Sequence, residues 1–167
     1  VIDDAPSLAG LLMTTDSSYY RSAWTELLSL WAVELPAEVK PDFCDYAAEY
    51  GLMCLMEKGT WKALRQFDRP AILKLVAADG RRVPVLLQHL DDSIAEILVG
   101  NELYRLTIEQ LESYWYGDYT LLLQKPPGGY MYLKVGDRGE DVVWVRQQTE
   151  IALGIKLPTA DPYNFDY

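Results

Sequence analysis

Nucleophilic or metal chemistry in this chain has few side chains to draw on: two cysteines, Cys44 and Cys54, and one histidine, His89. A structural zinc site wants four ligands, so the two cysteines cannot build one alone. A single imidazole excludes any mechanism that needs two. A thiol nucleophile needs a histidine beside it as general base and a group that orients that histidine. Cys54 lies inside an apolar run, where a thiol's pKa rises and its reactivity falls. His89 closes a strand-like run beside a turn. Ser17, Ser18 and Ser22 supply hydroxyls, but a serine nucleophile would still need a base. No G-x-x-x-x-G-K-S/T and no G-x-G-x-x-G occurs, so no nucleotide cradle is visible. No metal and no cofactor are expected.

The elements that would position these residues follow from periodicity and punctuation. Trp24, Leu27, Leu28 and Trp31 fall on one helical face, with Asp16, Ser17 or Ser18 available as the cap. Pro41 suits the first position of a helix running through Phe43, Ala47 and Tyr50, and Gly51 closes it. Leu52 to Met56 reads as a short buried strand. Thr60 to Phe67 reads as a short helix with Trp61 and Leu64 inward, ended by Arg69-Pro70. Strands are expected at Ala71 to Ala77 and Val83 to His89, joined by a two-residue Asp79-Gly80 turn. Further strands are expected at Ile94 to Val99 and Leu103 to Leu106. Thr107 and Gln110 form a capping-box signature opening a helix that carries Ile108, Leu111 and Trp115. Gly117 ends that helix, and Tyr119 to Gln124 is a last strand. Helices first, then an antiparallel meander with one inserted helix, is an α+β pattern and not an alternating βαβ one.

Pro126-Pro127-Gly128-Gly129 is the clearest linker. After it comes a helix from about Glu140 to Leu153, with Val142, Val145, Thr149 and Ala152 on one face and Gly154 as the stop. One helix cannot bury its own face, so this stretch reads as part of a second small domain. The division expected is 1–125 for the first domain, 126–135 for the linker and 136–167 for the second.

The chain has 167 residues, 50% of them hydrophobic and 24% charged, which suits a packed core. Its 25 acidic against 15 basic residues give a net charge of -10. Such a chain is repelled by nucleic acid and by anionic membrane surfaces. No apolar run approaches the roughly 18–20 residues of a membrane span. The chain starts at Val1, which reads as a processed product or a fragment. The 12 Tyr and 5 Trp against 3 Phe favour side chains with a polar handle, suited to interfaces and to sugar stacking as well as to cores. Tyr19, Tyr20, Tyr114, Tyr116, Tyr130 and Tyr132 are the tyrosines that the core pattern does not need; ordinary half-buried tyrosines are the plain alternative.

Two stretches carry a resemblance. Trp24-Thr25-Glu26-Leu27-Leu28-Ser29-Leu30-Trp31, Tyr50-Gly51-Leu52, Arg69-Pro70-Ala71-Ile72-Leu73, Val83-Pro84-Val85-Leu86-Leu87 and Leu106-Thr107-Ile108-Glu109-Gln110-Leu111 with Trp115 and Gly117 resemble the C39 family of papain-like cysteine peptidases. Leu133 to Gln147, with Gly136, Gly139, Val142 and Arg146-Gln147, resembles the opening of a peptidoglycan-binding type 1 domain. Usual members continue with two further helices and a Phe-Gln motif, and the chain ends before them. The pair in this order is similar to the periplasmic region of the general secretion pathway protein A family, inner-membrane ATPases of type II secretion. Cys44, Gly51-Leu52, Cys54, Trp61 and Arg69-Pro70 also fit that family.

The resemblance implies a papain-like antiparallel sheet with N-terminal helices, and it locates the triad. The C39 cysteine starts the first helix, at or near Tyr19. The histidine matches about Val83, and the orienting aspartate about Leu98 or Val99. None of these residues titrates near neutral pH, and a slip of one or two positions brings in no Cys or His. His89 shares strand parity with Val83 but lies roughly 20 Å further along. The domain is therefore expected to be a pseudo-peptidase. The periplasm oxidises thiol pairs, which favours a Cys44–Cys54 disulfide over two separate buried thiols.

The expected role is a non-catalytic periplasmic module that binds peptidoglycan, a partner protein of the secretion pathway, or both, in support of secretin assembly. Gly136, Arg138, Gly139 and Trp144 are the expected ligand contacts. Amide donors and positive dipole at a helix start suit murein carboxylates, although Asp137, Glu140 and Asp141 oppose them. Membrane attachment is expected only through a segment outside the chain, and a homo-oligomer stays open. The rivals are a cysteine or murein peptidase with an unrecognised site, and a structural spacer between membrane and wall.

Overall fold

The computed structural model describes residues 5–16, 18–129 and 133–165, with the backbone alone for residues 5–7. Two compact units result, Val1–Leu123 and Gln124–Tyr167. The first holds helices α1 (Ala5–Thr14), α2 (Ser18–Ser29), α3 (Phe43–Glu49), α4 (Trp61–Phe67) and α5 (Ile108–Glu112). Its strands are β1 (Leu52–Lys58), β2 (Ala71–Val76), β3 (Arg82–Leu90), β4 (Ile94–Val99), β5 (Glu102–Thr107) and β6 (Trp115–Gln124). They form one six-stranded sheet in the order β1-β6-β2-β3-β4-β5. β2 to β5 are a meander of antiparallel neighbours, and β6 returns after α5 to pair antiparallel with β2.

Period-two alternation sorts the side chains onto two faces. Leu73, Leu75, Val83, Val85, Leu87, Ala95, Ile97 and Val99 share one cluster with Leu8 and Leu12 of α1 and with Trp61 and Leu64 of α4. Ile72, Leu86 and Leu122 share the other with Trp24, Leu27 and Leu28 of α2 and with Phe43 and Ala47 of α3. Cys44 on α3 and Cys54 on β1 are joined by a disulfide with a Cα–Cα distance of 5.7 Å. It ties a helix of the second cluster to the edge strand.

The structure departs from the sequence expectations at definite places. α1 has no counterpart among the expected elements, although Leu8, Leu11 and Leu12 have the spacing of a helical face. Pro41 lies outside α3, whose N-cap is Asp42. In the strand expected to be buried, only Leu52 is buried, because β1 is an edge. The connection after β2 is not a two-residue turn: Ala77 N–H donates to Arg81 O and Gly80 N–H to Ala77 O, leaving three residues in the loop. The helix opened by the Thr107–Gln110 capping box stops at Glu112. Trp115 begins β6, and Gly117 sits inside that strand rather than ending a helix. There Gly59 N–H donates to Gly117 O at 3.0 Å. A side chain at Gly117 would fall 2.7 Å from Gly59 O.

In the second unit α6 (Glu140–Leu153) ends at Gly154. Its buried residues are Asp141, Val142 and Arg146. Ala152, expected on the inner face, is exposed. The turn Pro126–Gly129, read as linker, is joined to this helix, since Gly128 N–H donates to the Asp141 carboxylate.

Candidate functional site

Three of the positions that the C39 resemblance points to meet at one end of the sheet. Tyr19 is the second residue of α2 and packs against the first cluster. Asp16 opens the helix: its carboxylate accepts the Ser18 N–H at 2.7 Å, and its carbonyl accepts the Tyr19 N–H. Ser18, through its side chain and its N–H, holds the Asp16 carboxyl below its ordinary pKa. Ser17 lies outside the described residues. The Tyr19 ring lies over the β4–β5 turn, where a side chain at Gly100 would meet it at 2.8 Å. Ser22 Oγ donates to Gly100 O at 3.5 Å. Val83 on β3 is 2% exposed and Val99 on β4 is 1% exposed, both in the cluster that Tyr19 joins. Leu98 points to the opposite face and packs with the second cluster. Strand parity therefore groups Tyr19 and Val83 with Val99 and not with Leu98.

A cleft of 320 Å³ opens over Val83, lined also by Thr15, Asp16, Tyr20, Arg81, Arg82 and Pro84. Its charged groups and Thr15 are engaged within the fold. Arg81 donates to Thr15 O at 2.6 Å and to Met13 O at 2.7 Å, capping the end of α1, and its Nε donates to Asp79 at 2.6 Å. That last bond is the main reason the Asp79 carboxyl sits below its ordinary pKa. Arg82 pairs with Asp118 at 3.6 Å. Thr15 Oγ1 donates to Leu12 O at 2.9 Å. His89 is exposed and lies six residues along β3 from Val83, about 20 Å away. Both sulfurs are in the disulfide. The lining of this cleft offers neither thiolate nor imidazole. Among the described residues no group of three metal-ligating side chains converges.

The four residues expected to contact a ligand lie in the second unit. Gly136 N–H donates to Phe165 O at 2.8 Å and Gly139 N–H to Tyr163 O at 3.0 Å. Arg138 forms a bridge with Asn164 and an ion pair with Asp161. The Asp161 carboxyl is held below its ordinary pKa, first by the Tyr163 N–H and then by Arg138. Segment 161–165 thus lies against the turn that opens α6. Trp144 stands one turn into that helix, half-buried. Of the tyrosines singled out, Tyr20 and Tyr116 are 37% and 60% exposed. Tyr19 and Tyr114 pack against the first cluster. Tyr130 and Tyr132 lie outside the described residues.

Residues 8–125 match the family model described as GspA, peptidase C39-like domain. The chain belongs to this family. The matched residues run from within α1 to the end of β6 and so take in the whole sheet and the cleft over Val83. Among curated relatives, the chain is 29% identical over 154 residues to a putative general secretion pathway protein A of Escherichia coli K12. It is 27% identical over 132 residues to the general secretion pathway protein A of Aeromonas hydrophila. These alignments take in 89% and 79% of the chain, which spans only 31% and 24% of the two relatives. The fold is similar, with a TM-score of 0.59 and 24% identity, to a periplasmic domain of the EpsAB fusion protein of the Vibrio vulnificus type II secretion system. That likeness covers 89% of this chain and 66% of the other. Among the described residues no helix is long and apolar enough to cross a membrane.

Proposed function

We propose that this GspA C39-like chain is a non-catalytic periplasmic module of a type II secretion ATPase. In this reading it binds peptidoglycan, a partner protein of the pathway, or both, and so supports assembly of the secretin. The observation that carries the reading is the cleft over Val83, beside a cluster that also takes in Tyr19 and Val99, the positions at which the C39 resemblance would place an imidazole, a thiolate and a carboxylate. The cleft keeps the shape for a peptide segment and lacks the groups to cut it.

Wall binding is assigned to the second unit, through the turn Gly136–Gly139 and Trp144. The Gly136 and Gly139 amides already donate to the carbonyls of Phe165 and Tyr163, so the 167-residue chain itself is expected to bind murein weakly or not at all. The test is co-sedimentation with purified peptidoglycan, using this chain and one continued beyond Tyr167. The longer chain is expected to sediment, less so as salt rises. Full binding that survives deletion of residues 130–167 would move the site to the first unit. Turnover of a peptide or of cross-linked murein, abolished by one substitution in the chain, would overturn the non-catalytic reading.

A further inference from the structure

Arg69 stands between α4 and β2, exposed, with no ion pair or hydrogen bond among the described residues. Arg65, Arg81, Arg82, Arg105 and Arg138 each have a carboxylate within 4.0 Å, and Arg21 donates to the carbonyls of Pro36 and Val39. What Arg69 does meet is an aromatic face: its guanidinium carbon is 5.9 Å from the centroid of the Trp31 ring.

Beside this pair opens a groove of 240 Å³, lined by Leu27, Leu30, Trp31, Arg69, Pro70 and Leu122. Leu27 and Leu122, each 1% exposed, are its floor, and Leu30 is 56% exposed. Arg69 is the one charged group in the lining. The rim is held in place from both sides. Pro70 has a fixed φ. The end of α2 is closed by Ala32 N–H to Ser29 O at 3.0 Å and Val33 N–H to Leu28 O at 3.1 Å. Ala32 adopts φ 55 to make that closure, a conformation alanine disfavours. The turn that carries Leu30 and Trp31 to the surface is thus kept against a local conformational cost.

We propose that this groove docks a protein segment in which a bulky aliphatic side chain stands within two residues of a carboxylate. The aliphatic group fills the apolar floor, and the carboxylate takes the planar fork of Arg69. Charge complementarity decides the second half of that description. A chain of net charge -10 repels an acidic domain at long range, so Arg69 selects a short acidic element pinned beside an apolar anchor. The groove lies at the Ala71–Leu87 end of the β2–β3 ladder, whereas the cleft over Val83 lies at the Val76–Arg82 end, about 17 Å along the strands. It is a separate surface and depends on neither the cleft nor the second unit.

A random peptide library on phage, panned against the oxidised 167-residue chain, tests this directly. The enriched sequences are expected to share Leu, Ile or Met within two residues of Asp or Glu. Synthetic copies should bind at least ten-fold more weakly to Arg69→Gln and to Leu30→Ser, with Arg69→Lys intermediate and Arg82→Gln unchanged. Both groove positions are exposed, and thermal unfolding of each variant checks that its fold is kept. Failure to enrich any peptide, a consensus without an acid, or affinity that survives Arg69→Gln would each overturn the proposal. Loss of binding in Arg82→Gln alone would assign the peptides to the cleft and overturn it as well. Peptidoglycan co-sedimentation reads the second unit, so the two results stand or fall separately.

Discussion

Tyr19 and Gly100 are made for each other at the level of single atoms. Gly100 has φ 61, and a Cβ there would sit 2.8 Å from Tyr19 Cε1. Gly100→Ala is expected to destabilise the first unit by about 1–2 kcal/mol in urea unfolding, and Tyr19→Leu in the same chain to return part of it. If the two effects simply add, the contact is not what holds the turn. Asp91 offers a pH test. It accepts the N–H groups of Ser93 at 2.7 Å and Ile94 at 2.6 Å, and these bonds hold its carboxyl below the ordinary value. A lowered folded-state pKa means the stabilisation is complete above about pH 4, the unfolded value, and is lost as pH falls through the folded one. Asp91→Ala should therefore lower stability at neutral pH and flatten the acid limb of a stability–pH curve; an unchanged limb counts against the assignment. Of the residues lining the cleft, the family landmarks pointed to Val83, whereas Thr15, Arg81 and Arg82 carry no signal of their own in the sequence and are gathered there by tertiary packing. The choice between Leu98 and Val99 needed strand parity. The pairing of the Gly136 and Gly139 amides with residues 163 and 165 had no local signal, since a carbonyl that folds back leaves no mark on composition.

Elements were legible where a start or stop has its own chemistry. Thr107 and Gln110 announced α5, and both halves of the capping box are present. Its end was not legible: nothing between Glu112 and Trp115 breaks a helix, and β6 begins because the Trp115 indole donates to Asp118 O and the strand pairs with β2. The left-handed residue closing α2 is an alanine where glycine is the usual choice. Ala32→Gly is expected to raise stability by about 0.5–1 kcal/mol, seen as a higher urea midpoint with an unchanged slope. A lower midpoint would mean that the alanine methyl makes a contact worth more than the strain. The Cys44–Cys54 link spans ten residues. Cys44→Ser with Cys54→Ser should cost about 2–3 kcal/mol, and intact-mass thiol counting of oxidised protein should find no free thiol.

At the scale of the molecule, both buried clusters are composed wholly of residues 8–123. A chain ending at Lys125 is therefore expected to keep a single cooperative thermal transition, within a few degrees of the 167-residue protein, by circular dichroism. A broad, non-cooperative melt would show that the second unit is needed for the first. The α+β class was legible because helical periods cluster ahead of the antiparallel meander instead of alternating with its strands. The sheet order was not, because β6 inserts between β1 and β2 through long-range pairing that no neighbouring residues announce. The disulfide has one more consequence, and it is mechanical. It joins α3 to an edge strand, so a pulling force that unravels the first unit cannot extend the chain between its two sulfurs. Ten residues of slack, about 30 Å of contour, are withheld until the bond is reduced. In single-molecule stretching the oxidised domain should yield a shorter final length than the reduced one by that amount, while β2 to β6, outside the loop, still pull apart.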